Sequence, residues 1–360
     1  VECLREGDTV ARLGGDEFVV LLEGMGNEAR ELPGRIELVA DKILKSLNLP
    51  YTLDGLEHHT TPSIGACVFL GREESAEELL KQADMAMYQA KAAGRNAIRF
   101  FDPAMQAAVS AQAELEADMR LALAHRQLML HYQPQVDTDG RVFGVEALLR
   151  WNHPIRGMVS PGEFIPLAED TGMIIGIGKW VLESACGQLQ QWSRDPQTAA
   201  LTMSVNISAR QFLDPSFVDS VRDVLRKFDI NPTRLKLELT ESVFLRDVEG
   251  TVTRMNELRD AGLGFSLDDF GTGYSSLSYL KRLPLSQLKI DQSFVRDIFV
   301  DANDLAIVRA IVTLGESLGL AVIAEGVETE AQREFLVKTG CQAFQGYLFG
   351  KPVPAEKLAL

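Results

Sequence analysis

The 360 residues carry a formal net charge of −15, with 46% hydrophobic and 24% charged residues. That balance fits an ordinary folded chain of roughly two domains at ~150 residues each. It excludes a general grip on a DNA or RNA duplex, which needs basic surface to displace counterions. It still allows one small anionic ligand, because a metal ion or a few Arg and Lys side chains can reverse the local field. Cys3, Cys67, Cys186 and Cys341 are scattered without a CxxC pair and read as reduced thiols. No HExxH occurs, no signal peptide is present, and no apolar run reaches the ~18 residues of a membrane span. The expectation is a cytoplasmic chain with no membrane contact. It opens without Met inside a strand-like pattern, so it reads as part of a longer protein, whose parent is free to carry a membrane anchor.

Taken in order, residues 9–22 (TVARLGGDEFVVLL) place two apolar runs around Gly14-Gly15, which predicts a tight hairpin. Asp16 and Glu17 fall at its turn, where the simplest reading is a solvated bend. Residues 35–47 have helical spacing, 58–70 read as a strand with Ser63 and Gly65 allowing close approach, and 76–93 form an amphipathic helix closed by Gly94. Lys91 and Arg95 at its end read, alone, as compensation of the helix dipole.

Together, Gly14-Gly15-Asp16-Glu17-Phe18, Ser63-Ile64-Gly65 and ADMAMYQAKAAGRN (83–96) closely resemble the C-terminal half of a GGDEF diguanylate cyclase domain, over residues 1–103. The resemblance implies a metal ligand at Glu17 and GTP phosphate contacts from Lys91 and Arg95. It also implies an inhibitory site for cyclic di-GMP at the RxxD pair Arg5 and Asp8. The family's first metal-binding aspartate, its guanine-reading residues and its opening strand and helix precede this motif and are absent here. We therefore expect no cyclase activity from these residues. Asp102-Pro103 breaks the pattern, and 104–113 are expected to be a linker, helical by its spacing.

From residue 114 the pattern changes. Residues 128–136 are a strand, Asp137-Thr138-Asp139-Gly140 is a turn, and the next strand runs from 141 to 149; so short a turn demands an antiparallel pair. Within it, VFGVEALLRW (142–151) reads as a buried strand ending in Glu146, with Arg150 just beyond. Six later apolar runs likewise end on polar groups: SVNIS (Asn206), LKLELTES (Glu238, Glu241), FSLDDFGTGYSS (Asp268, Asp269), LKIDQS (Lys289, Asp291), VIAEGVE (Glu325, Glu328) and FQGYLF (Gln345). Helix-like stretches at 177–192, 215–228, 248–261 and 304–318 fill the longer gaps, so the sheet is parallel with helices outside. Alternation sets Lys236, Glu238 and Thr240 on one face against Leu235, Leu237 and Leu239, and Lys289 against Leu288 and Ile290. The polar groups then share an interior line at the C-terminal ends of the strands, where (β/α)₈ barrels hold their active sites. The predicted fold is α/β: a partial GGDEF domain followed by a TIM-like (β/α)₈ barrel whose first strand is antiparallel to its second.

Five carboxylates (Glu146, Glu238, Asp268, Asp269, Glu325), the Asn206 amide and Lys289 cannot share one interior as bare charges. Either some neutralise or a cation sits among them. Oxygen donors of this kind suit Mg²⁺ or Mn²⁺, and adjacent acids can place two ions ~3.5–4 Å apart, as in many phosphoesterases. A single strand-end acid is usually a helix cap or loop ligand, and Lys289 alone could be a salt bridge. Asp269-Phe270-Gly271 is not a kinase signature without an HRD loop, and Gly271-Thr272-Gly273 lacks the GK[ST] of a P-loop.

EALLR, SVNIS, LELTES, DDFGTGYSSL, LKID, AEGVE and FQGY jointly resemble a complete EAL-domain phosphodiesterase, over residues 114–360. The resemblance implies hydrolysis of cyclic di-GMP to linear 5′-pGpG. Glu146, Asn206, Glu238 and Asp268 would hold a first metal, and Asp268, Asp269 and Glu325 a second. Lys289 would orient the attacking water and Glu325 would also act as base. Gln133, Leu148, Arg150, Asp291, Glu328 and Gln345 would contact or line the substrate. Glu241 would brace the loop 269–276, which could couple a homodimer formed through this domain to metal binding. Alternatives left open are a cyclic di-GMP receptor that does not cut, a bifunctional parent whose cyclase half dominates, and an unrelated metal-dependent hydrolase on a similar barrel.

Overall fold

The computed structural model describes residues 4–5, 7–25, 32–53, 56–58, 60–69, 75–245, 247–271 and 280–358, and the chain divides into two compact units, 1–115 and 116–360. In the first unit, β1 (Thr9–Gly14) and β2 (Glu17–Leu21) form the expected antiparallel hairpin. Gly15 turns it at φ +55, a geometry Gly adopts without a Cβ penalty. Helix α1 (Leu32–Leu47) is followed by the short hairpin β3 (Tyr51–Leu53) and β4 (Leu56–His58). The single strand expected over 58–70 is corrected: β4 ends at His58 and β5 is only Ile64–Ala66. Pro62 lies in the break, and it has no N–H for a ladder.

β5 pairs in parallel with β6 (Ile98–Phe100), a strand the sequence reading missed, through helix α2 (Ala76–Ala92). Gly65 is where β5 meets α2. A Cβ there would sit 2.0 Å from the Ala83 carbonyl oxygen, so the close approach read from the sequence is backbone against backbone. Helix α3 (Pro103–Ala122) contains the predicted linker and continues past it, with Leu115, Met119 and Ala122 buried at helical spacing.

The second unit is a closed eight-stranded barrel. Its strands are β7 (Leu128–Asp137), β8 (Val142–His153), β10 (Thr202–Asn206), β11 (Leu235–Thr240), β12 (Gly264–Phe270), β13 (Gln287–Ile290), β14 (Ala321–Ala324) and β15 (Ala343–Gln345). β7 is antiparallel to both neighbours, β8 and β15, and a β8–β10 pairing closes the ring. All other ring pairings are parallel. The antiparallel first strand was thus legible from the four-residue turn, which Gly140 completes at φ +79.

One boundary is corrected. β8 ends neither at Glu146 nor at Leu149 but runs on to His153, where its last residues pair with a further short strand, β9 (Gly157–Val159). Among the helices not foreseen, two are of ten residues or more. Pro161–Thr171 carries an internal Pro166 that weakens its helical signal, and Glu330–Thr339 opens with a capping box between Thr329 and Gln332. Strand residues facing outward form the core beneath the helices: Leu235, Leu237, Leu239, Trp151 and Phe265 are each fully buried, as are Phe164 and Phe212 from the helices. No helix among the described residues is long and apolar enough to cross a membrane.

Candidate active site

The inward alternation of β8, β11, β12 and β13 brings their acids to one lysine. Lys289, 1% exposed, points its Nζ at Glu146 Oε2 (3.6 Å), Asp268 Oδ1 (3.2 Å) and Glu325 Oε1 (2.6 Å), and it donates to Glu238 Oε2. Glu325 directly follows β14, and its backbone N–H holds it to β13 through the Ile290 carbonyl. Asn206, the last residue of β10, donates from Nδ2 to Glu146 Oε1 at 2.6 Å. Parallel pairing of Asn206 with Glu238 sets those two side by side. The four residues assigned to a first cation therefore converge.

Asp269 reaches the same end by a different route. Two consecutive residues of a regular strand face opposite ways. Here the β12–β13 register shifts between Leu267 and Phe270, and Asp269 turns into the left-handed region at φ +53, which Asp tolerates. Its carboxyl is half-buried and shares a hydrogen bond with Asp291; burial first, then Asp268 and Asp291, push its pKa up to about 6. Asp291 itself caps the short helix Gln292–Arg296, accepting from Ser293 N at 2.9 Å, so it serves a structural end as well.

One ammonium faces four carboxylates, and the electrostatics show the imbalance. Burial pushes Glu238 up to about 8 despite the pull of Lys289, with Glu146 and Asp268 adding to the rise. Burial likewise holds Glu325 well above the usual carboxylate range. Burial works to lower Lys289, but Glu146, Glu238, Glu325 and Asp268 outweigh it and keep its ammonium charged. Glu238 Oε1 is buried and has no hydrogen-bond partner among the described residues. A buried carboxylate oxygen left in that state costs several kcal/mol unless a cation or proton meets it, on the order of 1–3 kcal/mol for even a neutral group.

Among the described residues, no three acid, His or Cys side chains stand ready-arranged as a metal cage; the Lys289 ammonium occupies the point where they converge. The donor set nevertheless fits a hard divalent cation. It is all oxygen, over-supplied with negative charge, and has one orphaned oxygen at its centre.

The remaining predicted residues divide. Gln133 and Gln345 join the cluster: Gln345 Nε2 donates to Glu146 Oε2 (2.5 Å) and to Gln133 Oε1 (3.2 Å), and Gln133 Nε2 donates to the Gly350 carbonyl (3.1 Å). Arg150 is half-buried on β8 with Nη1 on the Leu149 carbonyl; burial lowers its pKa, and Glu146 acts against that. Leu148 lies between Glu146 and Arg150 in β8, partly exposed. Glu241 accepts from Gly271 N at 3.3 Å, at the start of the loop it was expected to brace, while 272–279 of that loop lie outside the described residues. Glu328 is exposed, and only its backbone N–H is fixed, on Gln332 Oε1.

In the first unit, Gly14, Gly15, Asp16, Glu17, Lys91 and Arg95 are all exposed, and Arg5 N donates to Asp8 Oδ2 within one turn. Gln135 escaped the sequence reading: fully buried, it donates to Gln345 Oε1 at 2.9 Å, and alternation from Gln133, two residues away, could have found it. Lys236, which alternation set on the Glu238 face, donates to Gln287 Oε1 at 2.8 Å with its pKa lowered by burial.

The family model described as EAL domain matches residues 116–352, and that described as diguanylate cyclase, GGDEF domain, matches 1–97. The bifunctional diguanylate cyclase/cyclic di-GMP phosphodiesterase MucR of Pseudomonas aeruginosa is 49% identical over 356 residues, covering 99% of this chain and 51% of MucR. The cyclic di-GMP phosphodiesterase PdeR of Escherichia coli K12 is 39% identical over 355 residues, 99% of this chain and 52% of PdeR. The chain thus spans about half the length of these curated relatives. A solved structure of the PaMucR phosphodiesterase in complex with c-di-GMP is 52% identical, covers 68% of this chain and 100% of that one, and superposes with a TM-score of 0.67.

Proposed function

The chain belongs to the EAL-domain family, and on that premise we propose that it is a phosphodiesterase that hydrolyses cyclic di-GMP to linear 5′-pGpG using Mg²⁺ or Mn²⁺. The observation that carries the proposal is the convergence of Glu146, Glu238, Asp268 and Glu325 on the buried Lys289. Glu146, Asn206, Glu238 and Asp268 would hold a first ion, and Asp268, Asp269 and Glu325 a second. When bound, such ions acidify water and offset charge on phosphoryl oxygens.

The chain's own groups do the rest. Lys289 Nζ orients the attacking water, and Glu325, whose Oε1 lies 2.6 Å from that ammonium, takes a proton from the water. The water oxygen forms a bond to phosphorus in line with the departing 3′ oxygen. The P–O3′ bond breaks, and that oxygen leaves as a hydroxyl by taking up a proton from solvent, while the proton on Glu325 returns to solvent, so one water is consumed overall. Arg150 offsets charge on the phosphoryl oxygens, while Gln133, Leu148, Asp291, Glu328 and Gln345 line the ligand and Glu241 steadies the loop from Gly271.

The proposed divisions are 1–103 for the GGDEF part, 104–113 for the linker and 114–360 for the EAL domain. A cytoplasmic homodimer through that domain is the proposed assembly, and Arg5 and Asp8 the proposed second contact for cyclic di-GMP. The test is incubation with cyclic di-GMP and Mn²⁺, followed by chromatography. Linear pGpG should accumulate and chelation should abolish it; intact cyclic di-GMP recovered bound to the protein would instead make it a receptor.

A further inference from the structure

Gln135 lies in β7, is 0% exposed, and takes no part in the chemistry above. Its Nε2 donates to Gln345 Oε1 at 2.9 Å. Gln345 is thereby held with its amino end toward Glu146 Oε2 (2.5 Å) and Gln133 Oε1 (3.2 Å). Cross-strand pairing of Gln135 with Gln345, and of Gln133 with Glu146, puts all four on adjoining strands. Room for the Gln135 amide comes from its β8 partner, Gly144: a Cβ there would lie 2.3 Å from Thr202 Oγ1 and 3.3 Å from Gln135 Oε1.

A glutamine amide has nearly the same shape when turned end for end, but its ends are opposite in hydrogen-bonding sense. Turned over, Gln345 would set its carbonyl oxygen against the Glu146 carboxylate and Gln133 Oε1, and its amino group against the donor of Gln135. Inside a barrel, where the local dielectric is low, each such reversal counts for more than at a surface. Asn206 holds the other Glu146 oxygen, and the second one accepts from Gln345 Nε2 with Lys289 Nζ farther off at 3.6 Å.

We propose that Gln135 is a positioning residue that fixes the Gln345 amide and, through it, orients Glu146 toward its cation. This rests on the reading of Glu146 as a metal ligand. The test is calorimetric titration of Mn²⁺ into the 360-residue chain without substrate, comparing Gln135→Met, Gln345→Met and the double variant, with melting followed by circular dichroism. Gln135→Leu, of similar volume, replaces the methionine variant if that one fails to fold. Each single change should weaken Mn²⁺ binding about tenfold, as loss of a ligand's supporting hydrogen bond commonly does. The double variant should be no weaker than Gln345→Met, because Gln135 acts only through Gln345. Native affinity in Gln135→Met, or losses that add in the double variant, would overturn the proposal. Glu146→Ala serves as the control for the underlying reading: if it binds Mn²⁺ as the native chain does, Glu146 is no ligand and the role of Gln135 falls with it.

Discussion

Replacing Lys289 with alanine should lower hydrolysis of cyclic di-GMP by roughly 10³-fold or more, since it removes both a water-orienting group and a positive charge from a desolvated site. The same change should leave a metal-free protein that melts earlier. Glu146, Glu238, Asp268 and Glu325 would face one another without their shared ammonium. Breaking a buried ion pair from one side costs on the order of 3–5 kcal/mol.

The destabilisation should depend on pH with a definite sign. Glu238 already has a folded-state pKa of about 8, above its unfolded value, so the folded chain binds the extra proton and this group's contribution is lost as pH rises from the usual carboxylate range through about 8. Without Lys289 that pKa rises further, and the window extends upward. The variant should therefore melt closer to the native chain at pH 6 than at pH 9, and Mn²⁺ should restore part of the difference. Native turnover in Lys289→Ala, or a melting difference that shrinks at high pH, would contradict this account.

Glu146→Ala should also lose hydrolysis by about three orders of magnitude or more, through loss of a cation ligand, while two opposing effects act on the fold. Its removal relieves crowding: Lys289 keeps Glu238, Asp268 and Glu325, and one buried carboxylate fewer competes for it. The cost is the acceptor lost by the Asn206 amide and one of the two acceptors lost by the Gln345 amide, which keeps Gln133, about 1–3 kcal/mol each at most. Turnover and melting measured on the same purified protein separate the two variants. Near-normal turnover in folded Glu146→Ala would rule out its role as a ligand.

Much of this site was legible in the sequence because strand alternation is strict. Glu238 and Lys289 face inward for the same reason that Leu237 and Leu288 face outward. The antiparallel start of the barrel was equally legible, because four residues cannot cross over to a parallel strand. Strand ends were not legible. The second strand read as ending by Leu149, whereas β8 continues to His153 by pairing with β9, a contact no local pattern announces. Asp269 faces Asp268 and Asp291 for a reason its neighbours in sequence do not supply. Adjacency alone would send it outward, and it is the left-handed turn and the register shift that bring it to the cluster. Gln135 was overlooked because Gln133, Asn206 and Gln345 were named from the motifs that contain them, and no local pattern shows that Gln135 bonds Gln345.

The account stands on the claim that this ring of oxygen donors exists to hold divalent cations, with Lys289 beside them. Anomalous scattering from crystals grown with Mn²⁺ tests that directly. It should show manganese bordered by Glu146, Asn206, Glu238 and Asp268, with a second peak about 3.5–4 Å away toward Asp269 and Glu325. Manganese found only elsewhere, with all four carboxylates still turned to Lys289, would contradict it.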